Sequence, residues 1–157
     1  MNQQFFAALE ARLTELTADL RYLHKPTGQQ RAPQIIGTML ERPTGEVQEA
    51  QDYPFVRWII YDGEFSRMSP APFSIMLDGG IYTDGTVDDG NTAICSLCMA
   101  LGKIVEKPWF TPYKLRNRVR FVMGSPEADN SNHGLQPHPY YYCRLYLEFV
   151  VALGHGG

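Results

Sequence analysis

The run YYYCRLYLEFVV, Tyr140 to Val151, alternates with a period of two. Tyr141, Cys143, Leu145, Leu147, Phe149 and Val151 fall on one side, and Tyr142, Arg144, Tyr146 and Glu148 on the other. Successive side chains of a strand point to opposite faces, so the run specifies a long strand with one buried and one polar face. That is the pattern of an antiparallel sheet covered on one side only. Helices must then supply the cover.

A second run, YKLRNRVRFVM, alternates in the same way. It predicts another long strand, with Leu115, Asn117, Val119, Phe121 and Met123 on one face and Lys114, Arg116, Arg118 and Arg120 on the other. Same-face neighbours in a strand lie about 7 Å apart, so each adjacent pair of cations repels by about 0.6 kcal/mol in water and about 2 kcal/mol at an interface-like dielectric. Something must compensate for such a row. Three arrangements do so: a solvated face with Glu148 or other acids nearby, an acidic surface on a neighbouring subunit, or passing nucleic acid. Tyr142 and Tyr146 beside the row fit an interface, where aromatics and arginine are enriched.

The covering helices are legible in the rest of the chain. Phe5, Phe6, Leu9, Leu13, Leu16, Leu20 and Leu23 recur mostly at steps of three and four, which predicts an amphipathic helix from Phe5 to Leu23. HKPTG should stop it, through Pro26 and Gly28. In DDGNTAICSLCMALGKIVEKP, the acceptors Asp88, Asp89 and Asn91 mark a helix start and Pro108 its stop. Ile94, Leu97, Cys98, Leu101, Ile104 and Val105 form the apolar face between them.

Further strands are predicted at Ile35–Leu40, Phe55–Tyr61 and in FSIMLDGGIYTDG, with Phe73, Ile75 and Leu77 on one face and a bulge or break at Gly79-Gly80. Glu41 to Asp52 reads as a connection. The whole reads as one α+β domain over 1–157, a mostly antiparallel β-sheet with two main helices packed on one face. Long loops are expected at about 26–52 and 125–139, with a flexible Gly-rich C-terminus. A loop as long as the second is usually functional or disordered.

Composition narrows the function classes. At 157 residues, 44% apolar, 20% charged and a net charge of -3, the chain has the balance of a soluble domain and not of a basic nucleic-acid binder. The first twenty residues lack the apolar block and cleavage site of a secretory signal, and no run reaches the length needed to cross a bilayer. Synthesis and folding in a cytoplasm are the expectation.

Cys95 and Cys98, two residues apart in ICSLCMAL, have a spacing used for zinc and for redox pairs. A redox pair, however, occupies a helix start where the dipole lowers a thiol pKa, whereas here acidic residues precede it. A zinc site would have to recruit Cys143 and His133 or His138, and no standard ligand spacing results. Free cysteine behaves as a small hydrophobe, and core packing is the reading the residues favour. No catalytic group, metal or cofactor is assigned, since no phosphate loop, paired-histidine signature or nucleophile elbow is present.

The order of elements, with DYPFVRWIIYDGE, FSIMLDGGIYTDGTVDDG and NTAICSLCMALGKIVEKP in succession, resembles the tail terminator proteins of long-tailed bacteriophages. The motifs cover roughly residues 50 to 124. The segments from Pro26 to Asp52 and from Ser125 to Pro139 match nothing in that pattern. The resemblance implies a sheet with helices on one side, and a structural virion protein, not an enzyme. Such a protein forms a hexameric ring that caps the finished tail tube, ends tail polymerisation and receives the head connector or stopper.

Its partners would be copies of itself, the tail tube protein and the head–tail connector, with DNA passing through the ring without sequence-specific binding. Its place would be the neck-proximal end of the tail. A closed ring needs two different, complementary lateral surfaces. On this expectation the row Lys114, Arg116, Arg118 and Arg120, with Tyr142, Arg144, Tyr146 and Glu148 beside it, meets Asp84, Asp88 and Asp89 of a neighbour or faces an axial partner. Another neck or tail-completion component, or a metal or redox module built on Cys95 and Cys98, are the alternatives.

Overall fold

The computed structural model describes residues 3–37, 53–65, 67, 71–116, 118–124 and 135–151. In chain order its elements are α1 (Gln3–Thr17), β1 (Tyr22–His24), β2 (Gln29–Arg31), β3 (Gln34–Ile36), β4 (Phe55–Gly63), β5 (Ala71–Tyr82) and α2 (Val87–Gly102). A 3-10 turn (Lys103–Glu106), β6 (Tyr113–Leu115), β7 (Arg120–Met123) and β8 (Tyr140–Val151) follow. The main sheet runs β3-β4-β5-β8-β6, with β7 also on β8. Among the described residues only β3 and β4 pair in parallel; β4, β5, β6, β7 and β8 pair antiparallel. The chain is therefore an α+β domain, as the alternation predicts.

β5 and β8 pair without interruption from Ala71↔Val151 to Tyr82↔Tyr140, and this ladder is the spine of the molecule. Its inner side, with Ile75, Leu77, Leu145 and Leu147 buried, receives Ile94, Leu97 and Leu101 of α2 and Phe5, Leu9 and Leu13 of α1. Phe5 meets Phe73 and Phe149 edge-on at 5.3 and 5.1 Å, and those two rings stack at 5.3 Å. Such pairs contribute about 0.5–1.5 kcal/mol each beyond their burial, and they tie the first helix to the last strand.

Several expectations are corrected. The first helix ends at Thr17, not Leu23. The Thr17 hydroxyl turns back to Leu13 O at 2.8 Å, and Arg21 donates to Ala18 O and Leu20 O at 2.6 and 2.7 Å. Of the end carbonyls, that of Thr17 accepts the Leu20 N–H at 3.1 Å, which closes the turn out of the helix. Leu23 lies in β1, and HKPTG is the turn of the β1–β2 hairpin, with Gly28 at φ 68. The expected loop at 26–52 therefore begins with two short strands. Ile35–Leu40 is realised as Gln34–Ile36, while 38–52 lies outside the described residues.

Gly79 and Gly80 neither bulge nor break β5. A Cβ on Gly79 would stand 2.9 Å from both Cys143 Sγ and Leu97 Cδ2, and one on Gly80 would stand 2.4 Å from the Phe55 ring. These glycines admit neighbours, and the bulge lies instead between Ile60 and Asp62 of β4. The second helix is capped by Thr86, upstream of the predicted acceptors. Its hydroxyl accepts the Asp89 N–H at 3.2 Å while the Asp89 carboxylate accepts the Thr86 N–H at 2.9 Å, a reciprocal cap. Val105, predicted to be buried, is 44% exposed, because the 3-10 turn has a different period from the helix before it.

Candidate functional site

The predicted single strand YKLRNRVRFVM is two strands on one edge of β8. Leu115 lies opposite Phe149 and Arg120 opposite Tyr146. Four residues separate the first pair member from the second on the edge, where β8 has two. The edge therefore carries an excursion of two extra residues, which ends the expected unbroken row of four cations. Because two is even, the alternation of faces survives it. Lys114, opposite Val150, and Arg120, opposite Tyr146, both remain on the side away from the helices.

Each cation has a distinct environment. Arg116 bonds through its N–H to Glu148 O at 2.9 Å and through Nε to Glu148 Oε1 at 3.2 Å. Both side chains are about half exposed, so the pair contributes at most about 1 kcal/mol. The Arg120 guanidinium lies over the Tyr146 ring at 4.6 Å, and that ring meets Tyr61 edge-on at 6.2 Å. Lys114 and Arg118 are exposed, and among the described residues Arg118 has no ion pair. Glu148 and Tyr146 thus compensate part of the row within the chain. Arg116, Arg118, Arg120, Tyr61 and Glu148 line a groove of about 670 Å³ on the outer face.

Arg144 belongs to a different arrangement. Its Nε and Nη2 reach Asp78 Oδ1 and Oδ2 at 2.6 and 3.0 Å, and Asp78 is 4% exposed. The hydrogen bond it donates to Asp78, partly opposed by desolvation, raises the guanidinium pKa and holds the group protonated. Tyr142 is half-buried, and its hydroxyl contacts the Tyr53 hydroxyl. Gln136 brackets the Tyr142 backbone, donating to its O at 2.9 Å and accepting from its N–H at 2.8 Å. This pins the described end of the 125–139 loop; its residues 125–134 lie outside the described set. Sequence reasoning missed Asp78, Tyr53 and Tyr61.

Asp84, Asp88 and Asp89 are exposed at the start of α2, and Asp89 serves the helix cap. The fold does not bring them to the cations. Tyr82, just before them, pairs with Tyr140, whereas Arg116 bonds to Glu148. Eight steps along β8 span roughly 26 Å. One chain therefore presents a cationic edge and an acidic corner toward opposite ends of β8.

The cysteines divide. Cys95 is exposed, while Cys98 and Cys143 are buried where α2 meets β8. Contact with Cys98 and burial push the Cys143 thiol well above its ordinary pKa, which disfavours a thiolate. His138 bonds through Nδ1 to the Tyr141 hydroxyl at 2.6 Å, and His133 lies outside the described residues. Among the described residues, no three His, Cys, Asp or Glu side chains converge as a metal group. No helix among them is long and apolar enough to cross a membrane. Compared with models of protein families and with curated protein sequences, the chain matches none.

Proposed function

We propose that the chain is a structural subunit of a bacteriophage tail that assembles with copies of itself into a closed, hexameric ring. The ring caps the tail tube, ends its polymerisation and joins it to the head connector or stopper. On this reading the chain performs no catalysis and needs no cofactor, and its place is the neck-proximal end of the tail. DNA passes through the ring without base-specific contact, which suits a net charge of -3, since strong phosphate binding would hold it back.

The observation that carries this reading is the separation of Arg116, Arg118 and Arg120 from Asp84 and Asp88 along the sheet. Opposite charges that cannot meet within one chain can meet between chains. A contact of one surface with a different surface on the next copy is heterologous, the kind that closes rings. The resemblance of the β4, β5 and α2 motifs to tail terminators supplies the biological setting.

The test is charge exchange. Arg116→Glu with Arg118→Glu is expected to abolish ring formation, read by mass in solution or on tail tubes, and to abolish head joining. Adding Asp84→Lys and Asp88→Lys in the same chain should restore both. Unchanged ring size and joining in the arginine variant would overturn the proposal.

A further inference from the structure

β7 is an edge strand, and its open side faces a groove. Gly124 donates its N–H to Tyr142 O at 3.0 Å, and Val122 and Arg120 share its parity on the ladder with β8. The N–H and C=O groups of Phe121 and Met123 therefore point away from β8. Among the described residues no strand pairs with that side. Beside it, between β7 and α2, lies a groove of about 620 Å³, floored by Cys98 and Leu145 and walled by Met99, Phe121 and Met123. Met99 is 73% and Phe121 60% exposed. An unpaired edge beside exposed apolar side chains is the arrangement that takes up an added strand.

From this geometry we infer that β7 accepts an extended segment of a different protein, apolar at alternate positions and acidic at those between. The alternation follows from the edge itself. Partner residues opposite Phe121 and Met123 share their face and enter the groove, while the intervening residues share the face of Arg120 and Val122. On the outer face, which the intervening residues share, Arg118 and Arg120 line a groove whose one acid, Glu148, is already held by Arg116, so that face attracts acids. The described strands are already paired in their own sheets. A second copy has its own open β7 edge to offer, but that edge brings a further Arg118 and Arg120 to a rim that already carries them, and like charges oppose the pairing. This inference stands apart from the ring proposal, since the site exists in a monomer.

The test uses the full chain, labelled with nitrogen-15, and the peptide acetyl-Glu-Val-Glu-Leu-Glu-Val-Glu-amide. Saturable shifts are expected at the Phe121 and Met123 amides. Added antiparallel, as β7 itself is added to β8, the peptide turns the N–H groups of its apolar residues toward β7. N-methylation of those residues should weaken binding about tenfold or more, while N-methylation of the glutamates should leave it within about threefold. Phe121→Lys, at an exposed position, should also weaken binding about tenfold with the spectrum otherwise preserved. Absence of saturable shifts, or equal weakening by the two methylation patterns, would overturn strand addition. Self-association that Phe121→Lys abolishes would show the occupant to be a second copy and overturn the stated one.

Discussion

Asp78 is almost wholly enclosed on a sheet face that the helices leave uncovered, and both its oxygens hold the Arg144 guanidinium. Two-point, charge-assisted contacts of this kind are strong, and their value shows when one partner is removed. Arg144→Ala is expected to lower the unfolding free energy in urea by about 2–3 kcal/mol, discounted from a fully buried pair because Arg144 is partly exposed. Asp78→Asn with Arg144→Gln should cost less than the sum of the single changes. Glycines give a second contrast. A Cβ on Gly90 would stand 2.2 Å from the ring of the fully buried Tyr141, while nothing lies within 4 Å of one on Gly102. Gly90→Ala should destabilise by about 1–3 kcal/mol through overpacking, and Gly102→Ala should stabilise by about 0.5–1 kcal/mol. Thermal denaturation distinguishes the two. Alternation placed Arg144 on the polar face, but its partner depended on strand register, which no local pattern encodes.

At the scale of elements, α2 depends on its reciprocal cap. Thr86→Ala removes the acceptor for the Asp89 N–H and should cost about 1 kcal/mol. Asp89 adds a pH dependence. The bonds from Thr86 hold its carboxyl below the ordinary value of 3.8. A depressed folded pKa means that the contribution is complete above that value and is lost as pH falls through the lower one. Protection of the Thr86 amide, its exchange relative to an unstructured peptide at the same pH, should therefore be lost only in strong acid, and the Asp89→Asn protein should lack that acid-dependent loss. The helix itself was legible from Ile94, Leu97, Cys98 and Leu101, whereas its cap was not assigned because three acidic or amide candidates crowded the same stretch. The first helix was legible in its buried stripe but not in its end, since Leu20 and Leu23 continue the spacing after the backbone has turned. The two-residue excursion in the edge was illegible because an even insertion leaves the alternation intact.

Across the whole molecule, the sheet determines what is exposed. The single-sided cover and the α+β class followed from the alternation of β8, and the structure has them. Arg116 and Arg118 lie at one end of the sheet and Asp84 and Asp88 at the other, an arrangement that only strand pairing creates. The charge exchange proposed above belongs to this scale. Its rescue arm should weaken as ionic strength rises, because exposed charges are screened beyond roughly 8–10 Å in ordinary buffers.

β8 also comes last among the described elements in order of synthesis, yet it lies inside the sheet, with β5 along one side and β6 and β7 along the other. While a ribosome is still making it, β5 has an open flank and the two helices have only part of their floor. Native assembly of the domain therefore waits until β8 has been made. A transcript cut short before Tyr140 would release a greasy half-sheet, the kind of product that quality-control proteases and chaperones compete to remove.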